Sequence, residues 1–221
     1  MPETINSTQS TSRSAKTRKR TRIQREKEEL ILEAALDVFS SRGFRGSTID
    51  QIANKAGLSK PNLLYYFRTK EDIHRELIDQ TLESWLAPLH QLNPDGEPIA
   101  ESQSYIRRKL ELARDYPRES RLFANEILQG APRIQEELLG LKELVDEKTL
   151  LVLDWIKQGR LAKCDPRHLF FSIWAVTQHY ADFDAQIQVV LGETAKGEGR
   201  FEDAARFLDQ LFIHGLKPGK Q

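Results

Sequence analysis

The sequence predicts an all-α protein of about nine helices, arranged as an N-terminal three-helix unit with a helix-turn-helix and a C-terminal helical domain. Three observations favour this fold class. Apolar residues recur every three or four positions in successive segments between residues 22 and 216. Residues that cap or stop helices stand at the ends of these segments. No stretch alternates apolar and polar residues in the manner of a half-exposed strand.

The composition is that of an ordinary soluble globular protein, with 221 residues, of which 39% are apolar and 30% charged. No run approaches the roughly 18 apolar residues that a membrane-spanning helix needs. The N-terminal segment also lacks the apolar stretch of a secretory signal. We therefore expect a cytoplasmic location. The single Cys164 can form neither an internal disulfide nor a cysteine-rich zinc site, and no metal or cofactor is expected.

The charges of the chain are distributed unevenly although they sum to zero. Residues 1–70 contain 14 Lys and Arg against 7 Asp and Glu, whereas residues 71–221 contain 19 against 26. Residues 1–20 hold so few apolar groups that we expect a disordered basic arm. Its cations suit contact with DNA phosphates or the minor groove, and a solubilising tail is the alternative. The arm residues predicted to contact DNA are Lys16, Arg18, Lys19 and Arg20.

The first two helices are predicted from their end signals. Helical periodicity runs from Arg22 to Arg42, and a glycine follows as the C-terminal stop. The second helix begins after Thr48, because Thr48 and Gln51 match a capping box in which each side chain bonds the backbone N–H of the other residue. Gly57 then allows a left-handed turn.

A third short helix follows, and with the second it forms a helix-turn-helix between Thr48 and Phe67. Ser59 can cap it, and Pro61 is tolerated in its first turn because the N–H at that position needs no helical partner. The apolar residues of the pair predict a shared core, and the side chains left to point outward are Lys60, Asn62, Leu64 and Tyr66. A motif of this kind places its second helix in the major groove, so it predicts sequence-specific DNA binding.

The rest of the chain is predicted to form a second helical domain. A capping signature at Thr69 to Asp72 opens a long fourth helix that ends near Gln91. The domain boundary is placed near residue 70, which assigns the helix-turn-helix domain to residues 21–70 and the second domain to residues 71–221. Further helices are predicted at residues 98–115, 118–129, 133–158, 165–191 and 200–216.

The helix predicted at residues 165–191 carries apolar side chains on two opposite faces. One face holds Phe170, Trp174, Gln178, Ala181 and Ala185, and the other holds Val176, Phe183, Ile187 and Val190. A helix that is apolar on both sides must be covered on both. We expect its own domain to cover one side and an identical helix of a second subunit to cover the other, joined by Phe207, Leu211 and Phe212. Burial of both faces inside one large domain is the alternative.

Several motifs resemble the TetR family of transcriptional regulators. In the helix-turn-helix domain they are GLSKPNL at residues 57–63, YYF at 65–67 and TKE at 69–71. The resemblance continues through residues 85–89, 114–132 and 173–183, and there it is to regulators of pyrimidine utilisation within the family. It implies a homodimer that binds double-stranded DNA, and a C-terminal domain for dimerisation and for a small-molecule effector. Two-fold symmetry then predicts a near-palindromic operator.

Positional match to the family implies which residues touch DNA. Those facing base edges would be Lys60, Pro61, Asn62 and Leu64, and those facing phosphates would be Thr48, Tyr65, Tyr66 and Lys70. The chemistry is compatible, because Lys can donate to guanine, Asn can pair with adenine and Leu can meet a thymine methyl. Pro61 stands where Gly is frequent in the family and Leu64 where Tyr is frequent, so the operator is not inferred from relatives.

The resemblance also implies uracil or thymine as the effector, and we expect its binding to weaken operator binding. Trp174 and Gln178 lie one helical turn apart, so an aromatic surface and an amide with both donor and acceptor could meet a flat pyrimidine there. Trp85 could close the pocket, and Tyr180 is a weaker candidate. Core packing of the tryptophans, a core role for the amide and another small planar ligand are the alternatives.

Two other functions compete with this interpretation. An enzyme is not expected, because His179 and Asp182 could share a proton or a metal but no third ligand follows at a telling spacing. A ligand-blind dimeric DNA-binding protein would use the same helix-turn-helix and arm. Only the binding of a pyrimidine, with an effect on DNA affinity, distinguishes a sensor from that protein.

Overall fold

A computed structural model describes residues 22–192 and 199–218, and it contains ten α-helices and no strand there. The predicted all-α class is confirmed. The helices are α1 (Arg22–Arg42), α2 (Ile49–Lys55), α3 (Lys60–Tyr66), α4 (Lys70–His90), α5 (Pro98–Asp115), α6 (Pro117–Leu128), α7 (Gln135–Lys157), α8 (Pro166–Asp182), α9 (Asp184–Leu191) and α10 (Gly199–Leu216). Among these helices none is long and apolar enough to cross a membrane.

The short helices begin where their capping residues stand. The Thr48 hydroxyl accepts a hydrogen bond from the backbone N of Gln51 at 3.2 Å, and Gln51 Oε1 accepts one from the backbone N of Thr48 at 2.9 Å. Thr69 and Asp72 form a second capping box at the start of α4. Gly57 adopts a φ of +65° in the turn between α2 and α3. Local chemistry thus decides the helix-turn-helix.

Buried side chains form two clusters that meet along α4. The N-terminal core joins α1, α2, α3 and the first half of α4, with side chains from α6 and the loop after it. The C-terminal core joins the end of α4 with α5, α7, α8 and α10. Because α4 contributes to both cores, a shift of this helix changes the packing of both.

The loop between α6 and α7 completes the N-terminal core. Ala131 and Ile134 of this loop are 5% and 0% exposed, and both pack in that core. Ala131 adopts a φ of +53°, a left-handed conformation that an alanine adopts only when its surroundings impose it. Residues far beyond position 70 therefore help to hold the helix-turn-helix unit together.

The helix predicted at residues 165–191 is two helices, and this break raises the count from about nine to ten. Phe183 leaves helical geometry with φ −114° and ψ 27°. Side chains of α6 cap the end of α8 there: Ser120 Oγ donates to Asp182 Oδ1 at 2.6 Å, and Arg121 Nη1 donates to the carbonyl of Ala181 at 3.0 Å. The prediction missed the break because its cause lies about 60 residues away in the chain.

The break also changes which apolar side chains are exposed. Phe170 and Ala181 are buried as predicted, whereas Ala185 of the same predicted face is exposed. On the opposite face, Val176 packs against the C-terminal core and Ile187 is buried, so the chain's own domain covers part of this face as well. Large apolar side chains that remain exposed on α8, α9, α10 and the α8–α9 junction are Phe171, Phe183, Val189, Val190, Leu191, Phe207 and Leu211.

Candidate functional site

The helix-turn-helix presents α3 as an exposed helix on a buried base. Ser59 is extended, and its hydroxyl accepts from the backbone N of Asn62 at 3.4 Å, which starts the helix. Pro61 follows in the first turn, where its missing N–H leaves no bond unmade. Leu63 is 0% exposed and anchors α3 in the N-terminal core, as does Ile52 for α2.

Three of the four side chains predicted to read bases are exposed on α3. Lys60, Pro61 and Asn62 are accessible, whereas Leu64 is half-buried and packs against the N-terminal core. The expected outward direction of Leu64 is therefore wrong in part, because a seven-residue helix lying flat on a core buries more than one side chain. Lys60 Nζ lies 2.9 Å from Asp50 Oδ2, an exposed pair weak enough to exchange for a DNA acceptor.

The residues predicted to face phosphates lie in different environments. Tyr65 is 70% exposed, and the half-buried Tyr66 meets it edge to face with ring centroids 5.1 Å apart. Thr48 is exposed, and its hydroxyl accepts the capping bond while its O–H remains able to donate. All three side chains carry a hydroxyl that can donate a hydrogen bond. The arm residues Lys16, Arg18, Lys19 and Arg20 lie outside the described residues.

Lys70, the fourth predicted phosphate ligand, is used inside the protein. Its Nζ donates to the carbonyls of Phe44 and Ser47 at 2.8 and 2.7 Å and lies 4.1 Å from the centroid of the Phe44 ring. Burial lowers the pKa of this ammonium, and Arg133 lowers it further against the opposing effect of Glu71. Lys70 therefore ties the start of α4 to the turn that precedes α2, instead of standing free at the surface.

A small cavity lies in the C-terminal half, between α4, α5, α6, α7 and α8, and has a volume of about 50 Å³. Its lining residues are Thr81, Leu82, Trp85, Leu86, Lys109, Phe123, Leu141, Trp174 and Gln178. Three of the four predicted ligand-binding residues, namely Trp85, Trp174 and Gln178, thus converge on one cavity. A space of this size holds a few water molecules, so a ring-shaped ligand must displace side chains on binding.

The α8 side of the cavity offers a held aromatic ring and an amide. Trp174 Nε1 donates to the Tyr105 hydroxyl at 2.6 Å, and its ring stacks on Phe170 with centroids 6.5 Å apart. Burial raises the pKa of Tyr105. Gln178 is half-buried, and its amide makes no hydrogen bond with other described residues. The amide can therefore donate to and accept from a ligand.

The α4 and α5 sides of the cavity contain two buried donors with few acceptors. Trp85 is 6% exposed, and within the described part of the chain its Nε1 has no hydrogen-bond partner. Lys109 is 4% exposed, with Nζ 3.4 Å from the Trp85 carbonyl and 4.0 Å from the centroid of the Trp85 ring. Burial alone lowers the pKa of Lys109 to about 7. Buried donors without strong acceptors are costly, and they are the usual mark of a ligand site.

The structure corrects the predicted ligand set at two positions. Tyr180 does not line the cavity, because its ring packs against Phe201 of α10 at a centroid distance of 6.2 Å. Lys109 lines the cavity but was not predicted. A signal for it exists, because Lys109 is the only charged residue in a buried stripe of α5 formed by Ser102, Tyr105, Ile106, Leu110 and Ala113.

A second cluster of interacting side chains lies where α4, α6 and the α6–α7 loop meet the turn before α2. We call it the junction cluster, and it consists of Phe44, His74, Glu126 and Arg133. Arg133 Nη1 and backbone N donate to the two oxygens of Glu126 at 3.0 Å each, and Glu126 Oε2 lies 3.7 Å from His74 Nε2. The Arg133 guanidinium lies 3.8 Å from the centroid of the Phe44 ring. Burial lowers the pKa of His74 to about 4, so its ring is neutral at pH 7.

Two family profiles match successive parts of the chain. Residues 31–77 match the profile of bacterial regulatory proteins of the tetR family, and residues 78–219 match that of the YcdC-like protein C-terminal region. The HTH-type transcriptional regulator RutR of Escherichia coli strain K12 is 49% identical over 203 residues, which cover 91% of this chain and 96% of RutR. The protein of the same name from Shigella flexneri matches to the same extent.

Solved structures of lower identity share the fold. A TetR-like transcriptional regulator from Rhodococcus sp. RHA1 superimposes with a TM-score of 0.63 at 23% identity, covering 84% of this chain and 92% of that one. AibR in complex with isovaleryl coenzyme A and operator DNA superimposes with a TM-score of 0.63 at 17% identity, covering 85% and 98%. The chain belongs to the TetR family and is a helix-turn-helix transcriptional regulator.

Proposed function

Starting from membership of this family, we propose that the protein is a homodimeric regulator of pyrimidine metabolism that binds uracil or thymine in the α4–α8 cavity and then binds its operator less tightly. It would act in the cytoplasm, on DNA, and perform no catalysis. The observation that carries the proposal is the convergence of two indoles, a free amide and an ammonium on one cavity. The choice of effector is supported by the motifs that resemble regulators of pyrimidine utilisation, and by the 49% identity to the HTH-type transcriptional regulator RutR.

The cavity chemistry suits a flat imide. A pyrimidine base has carbonyl oxygens as acceptors and ring N–H groups as donors, and its faces stack on aromatic rings. Gln178 can pair with one carbonyl and one N–H, while Lys109 and the Trp85 N–H can donate to a carbonyl. Trp174, held by Tyr105, supplies a preorganised surface. The ligand would therefore satisfy donors that the unliganded protein leaves without good partners.

The DNA contacts are proposed on the exposed side of α2 and α3. Lys60 and Asn62 would read base edges, with Pro61 and the accessible part of Leu64 in apolar contact. Thr48, Tyr65 and Tyr66 would bind phosphates and so set the register of α3 in the groove. Lys70 would act by holding the turn before α2, and Lys16, Arg18, Lys19 and Arg20 would add phosphate or minor-groove contacts.

Homodimerisation is proposed through the exposed apolar side chains of α8, α9 and α10. Phe183, Phe207 and Leu211 are each more than half exposed, at 55%, 58% and 52%. Large exposed apolar side chains of this kind are characteristic of subunit interfaces. Two copies related by a two-fold axis would present two α3 helices to a near-palindromic operator, with half-sites about one DNA turn or a multiple apart.

Signal transmission is proposed through α4 and the junction cluster. Trp85 and Thr81 of α4 line the cavity, while His74 and Lys70 near its start contact the turn that leads into α2. A ligand that displaces Trp85 would move α4 relative to the N-terminal core. In a dimer such a movement alters the separation of the two α3 helices, which decides whether both fit the same operator.

The decisive measurement is operator affinity with and without ligand. An operator is first selected from random-sequence DNA by the protein itself, and binding is then followed by fluorescence anisotropy during titration with uracil or thymine. We expect ligand to weaken binding by roughly 5- to 150-fold, which corresponds to a coupling free energy of about 1 to 3 kcal/mol. No ligand effect on operator affinity, and no heat of pyrimidine binding in calorimetry, would favour the ligand-blind alternative.

The Gln178→Leu variant tests the cavity. It should abolish the ligand effect while retaining operator affinity, because a site built around an amide rejects a ligand whose polar edge is left unpaired. Gln80→Leu is the matched control, since Gln80 is exposed on α4 outside the cavity and should respond as the unmodified protein does. Loss of both ligand response and operator binding in Gln178→Leu would identify Gln178 as a structural residue instead.

A further inference from the structure

A surface groove between α4 and α7 shares a wall with the ligand cavity. The groove has a volume of about 520 Å³, and Leu82, Leu86 and Leu141 line both the groove and the cavity. These three leucine side chains therefore lie between the groove and the space beside Trp85 and Trp174. The cavity itself is small and needs such a connection for any ligand to reach it.

The leucine wall is easier to open than the wall on the other side. A second groove, of about 390 Å³, lies between α1, α4 and α6, and shares Thr81 and Trp85 with the cavity. Those two side chains are held, because Thr81 donates to the Leu77 carbonyl at 2.7 Å and Lys109 lies against the Trp85 ring. Leu86 and Leu141 are only half-buried and can change rotamer without breaking a hydrogen bond.

Gly140 keeps the groove open on its α7 side. It lies within a 23-residue helix, where glycine is less favourable than alanine by about 1 kcal/mol. A Cβ added at this position would meet nothing within 4 Å, so no close packing against a neighbour requires the glycine. A larger side chain at this position would project into the groove that Gly140 lines.

The rim of the groove is acidic and disfavours an anionic occupant. Asp79 and Glu83 of α4 and Glu137 of α7 line it. Burial raises the pKa of Asp79, and the neighbouring charges of Glu137 and Glu76 raise it further. A neutral base passes these carboxylates without electrostatic cost, whereas an anion such as a nucleotide is repelled.

We propose that the α4–α7 groove is the route by which a neutral pyrimidine base enters and leaves the cavity, with Leu82, Leu86 and Leu141 as the gate. The inference rests on the proposed function, because it takes the cavity as the effector site. It assigns the groove a kinetic role: side chains there control how fast the ligand exchanges, while the cavity residues control how tightly it is held.

Stopped-flow tryptophan fluorescence with uracil as the probe tests this route, since Trp85 and Trp174 line the cavity. Gly140→Phe should lower the association and the dissociation rate constants together, by about tenfold or more, with the equilibrium Kd unchanged. Gly140→Leu gives a smaller graded effect and serves if the Phe variant does not fold. Gly140→Ala controls for helix propensity, and Ser84→Phe places the same bulk in the α1–α4–α6 groove instead.

Unchanged association and dissociation rate constants in both Gly140→Phe and Gly140→Leu would overturn the proposal. So would a result in which Ser84→Phe slows uracil exchange and the two Gly140 variants do not. A rise in Kd with an unchanged association rate would also overturn it, because the groove would then be part of the binding site. Failure of the proposed function gives a different result: the unmodified protein would show neither a fluorescence change nor a calorimetric heat with uracil or thymine, and both proposals would fall.

Discussion

The junction cluster and the cavity are two buried polar groups along the same helix, α4, and they differ in how well the fold satisfies them. In the junction cluster, both Glu126 oxygens accept hydrogen bonds from Arg133, and His74 packs between the rings of Phe39 and Phe44. In the cavity, Trp85 Nε1 has no hydrogen-bond partner among the described residues, and the Lys109 ammonium has one carbonyl at 3.4 Å besides the face of the Trp85 ring. The buried carboxylate of the junction cluster is thus satisfied, whereas the indole N–H of the cavity is not.

The difference separates a structural role from a ligand-binding role. A satisfied buried network rigidifies the contact it makes, and here it joins the α6–α7 loop to the turn before α2. An unsatisfied one reduces the stability of the empty protein and makes a ligand with matching acceptors favourable. We therefore assign the two groups different roles along α4. In the proposed function the cavity binds the ligand, and the junction cluster holds the helix-turn-helix unit against the α6–α7 loop.

The largest effect on stability is expected from breaking the pair of Glu126 and Arg133 in the junction cluster. Glu126→Ala should lower the free energy of unfolding by about 3 kcal/mol, because it leaves the partly buried Arg133 guanidinium without its carboxylate partner. Urea denaturation monitored by circular dichroism measures the change. Glu143→Ala, at an exposed position of α7, is the control and should stay within about 0.5 kcal/mol of the unmodified protein. An equally small change in Glu126→Ala would mean that the junction cluster contributes nothing to stability.

Removing the charge of Lys109 from the cavity should change how the free energy of unfolding depends on pH. Lys109 has a pKa of about 7 in the folded protein, below its ordinary 10.5, so the unfolded chain binds more protons between these values. Its burial penalty is therefore full below pH 7 and falls as pH rises above 7. The free energy of unfolding of the native protein minus that of Lys109→Met should rise by about 1.4 kcal/mol per pH unit from pH 7 to 9.

Paired denaturation series of the two proteins give this difference directly, because other titrating groups cancel. The Lys148→Met variant is the control, since Lys148 is also largely buried but pairs with Glu147 at 2.9 Å. A flat difference between native protein and Lys109→Met across pH 7 to 9 would show that the Lys109 ammonium is solvated in the folded state.

The smallest effect is expected at Trp85. Trp85→Phe removes an indole N–H that has no partner, so the unliganded protein should lose little stability or gain up to about 1 kcal/mol. Uracil affinity, measured by calorimetry, should fall by roughly fivefold to tenfold because one donor to the ligand is lost. Trp155→Phe is the control, since Trp155 Nε1 already donates to the Pro94 carbonyl. Unchanged uracil affinity in Trp85→Phe would exclude the indole N–H from ligand recognition.

Sequence reasoning predicted the local elements well and the environments of charged side chains poorly. The ends of α1 and the capping boxes at Thr48 and Thr69 followed from residues within one helical turn of each other. Trp174 and Gln178 were placed together because they share a face of one helix. Lys70 was predicted to contact a phosphate, but its Nζ donates to two backbone carbonyls. Neighbouring residues gave no sign of this, because the carbonyls belong to residues 23 and 26 positions away in the chain.

By itself, then, the sequence determined the helical class, the helix-turn-helix and the pairing of Trp174 with Gln178, because capping and helical periodicity depend on neighbours a few residues apart. Only the tertiary structure decided that Lys109 lies buried against Trp85, 24 residues away, that α6 ends α8 at Phe183, and that the α6–α7 loop closes the N-terminal core. Burial, desolvation and long-range capping depend on which helices pack together, and that packing is a property of the whole chain.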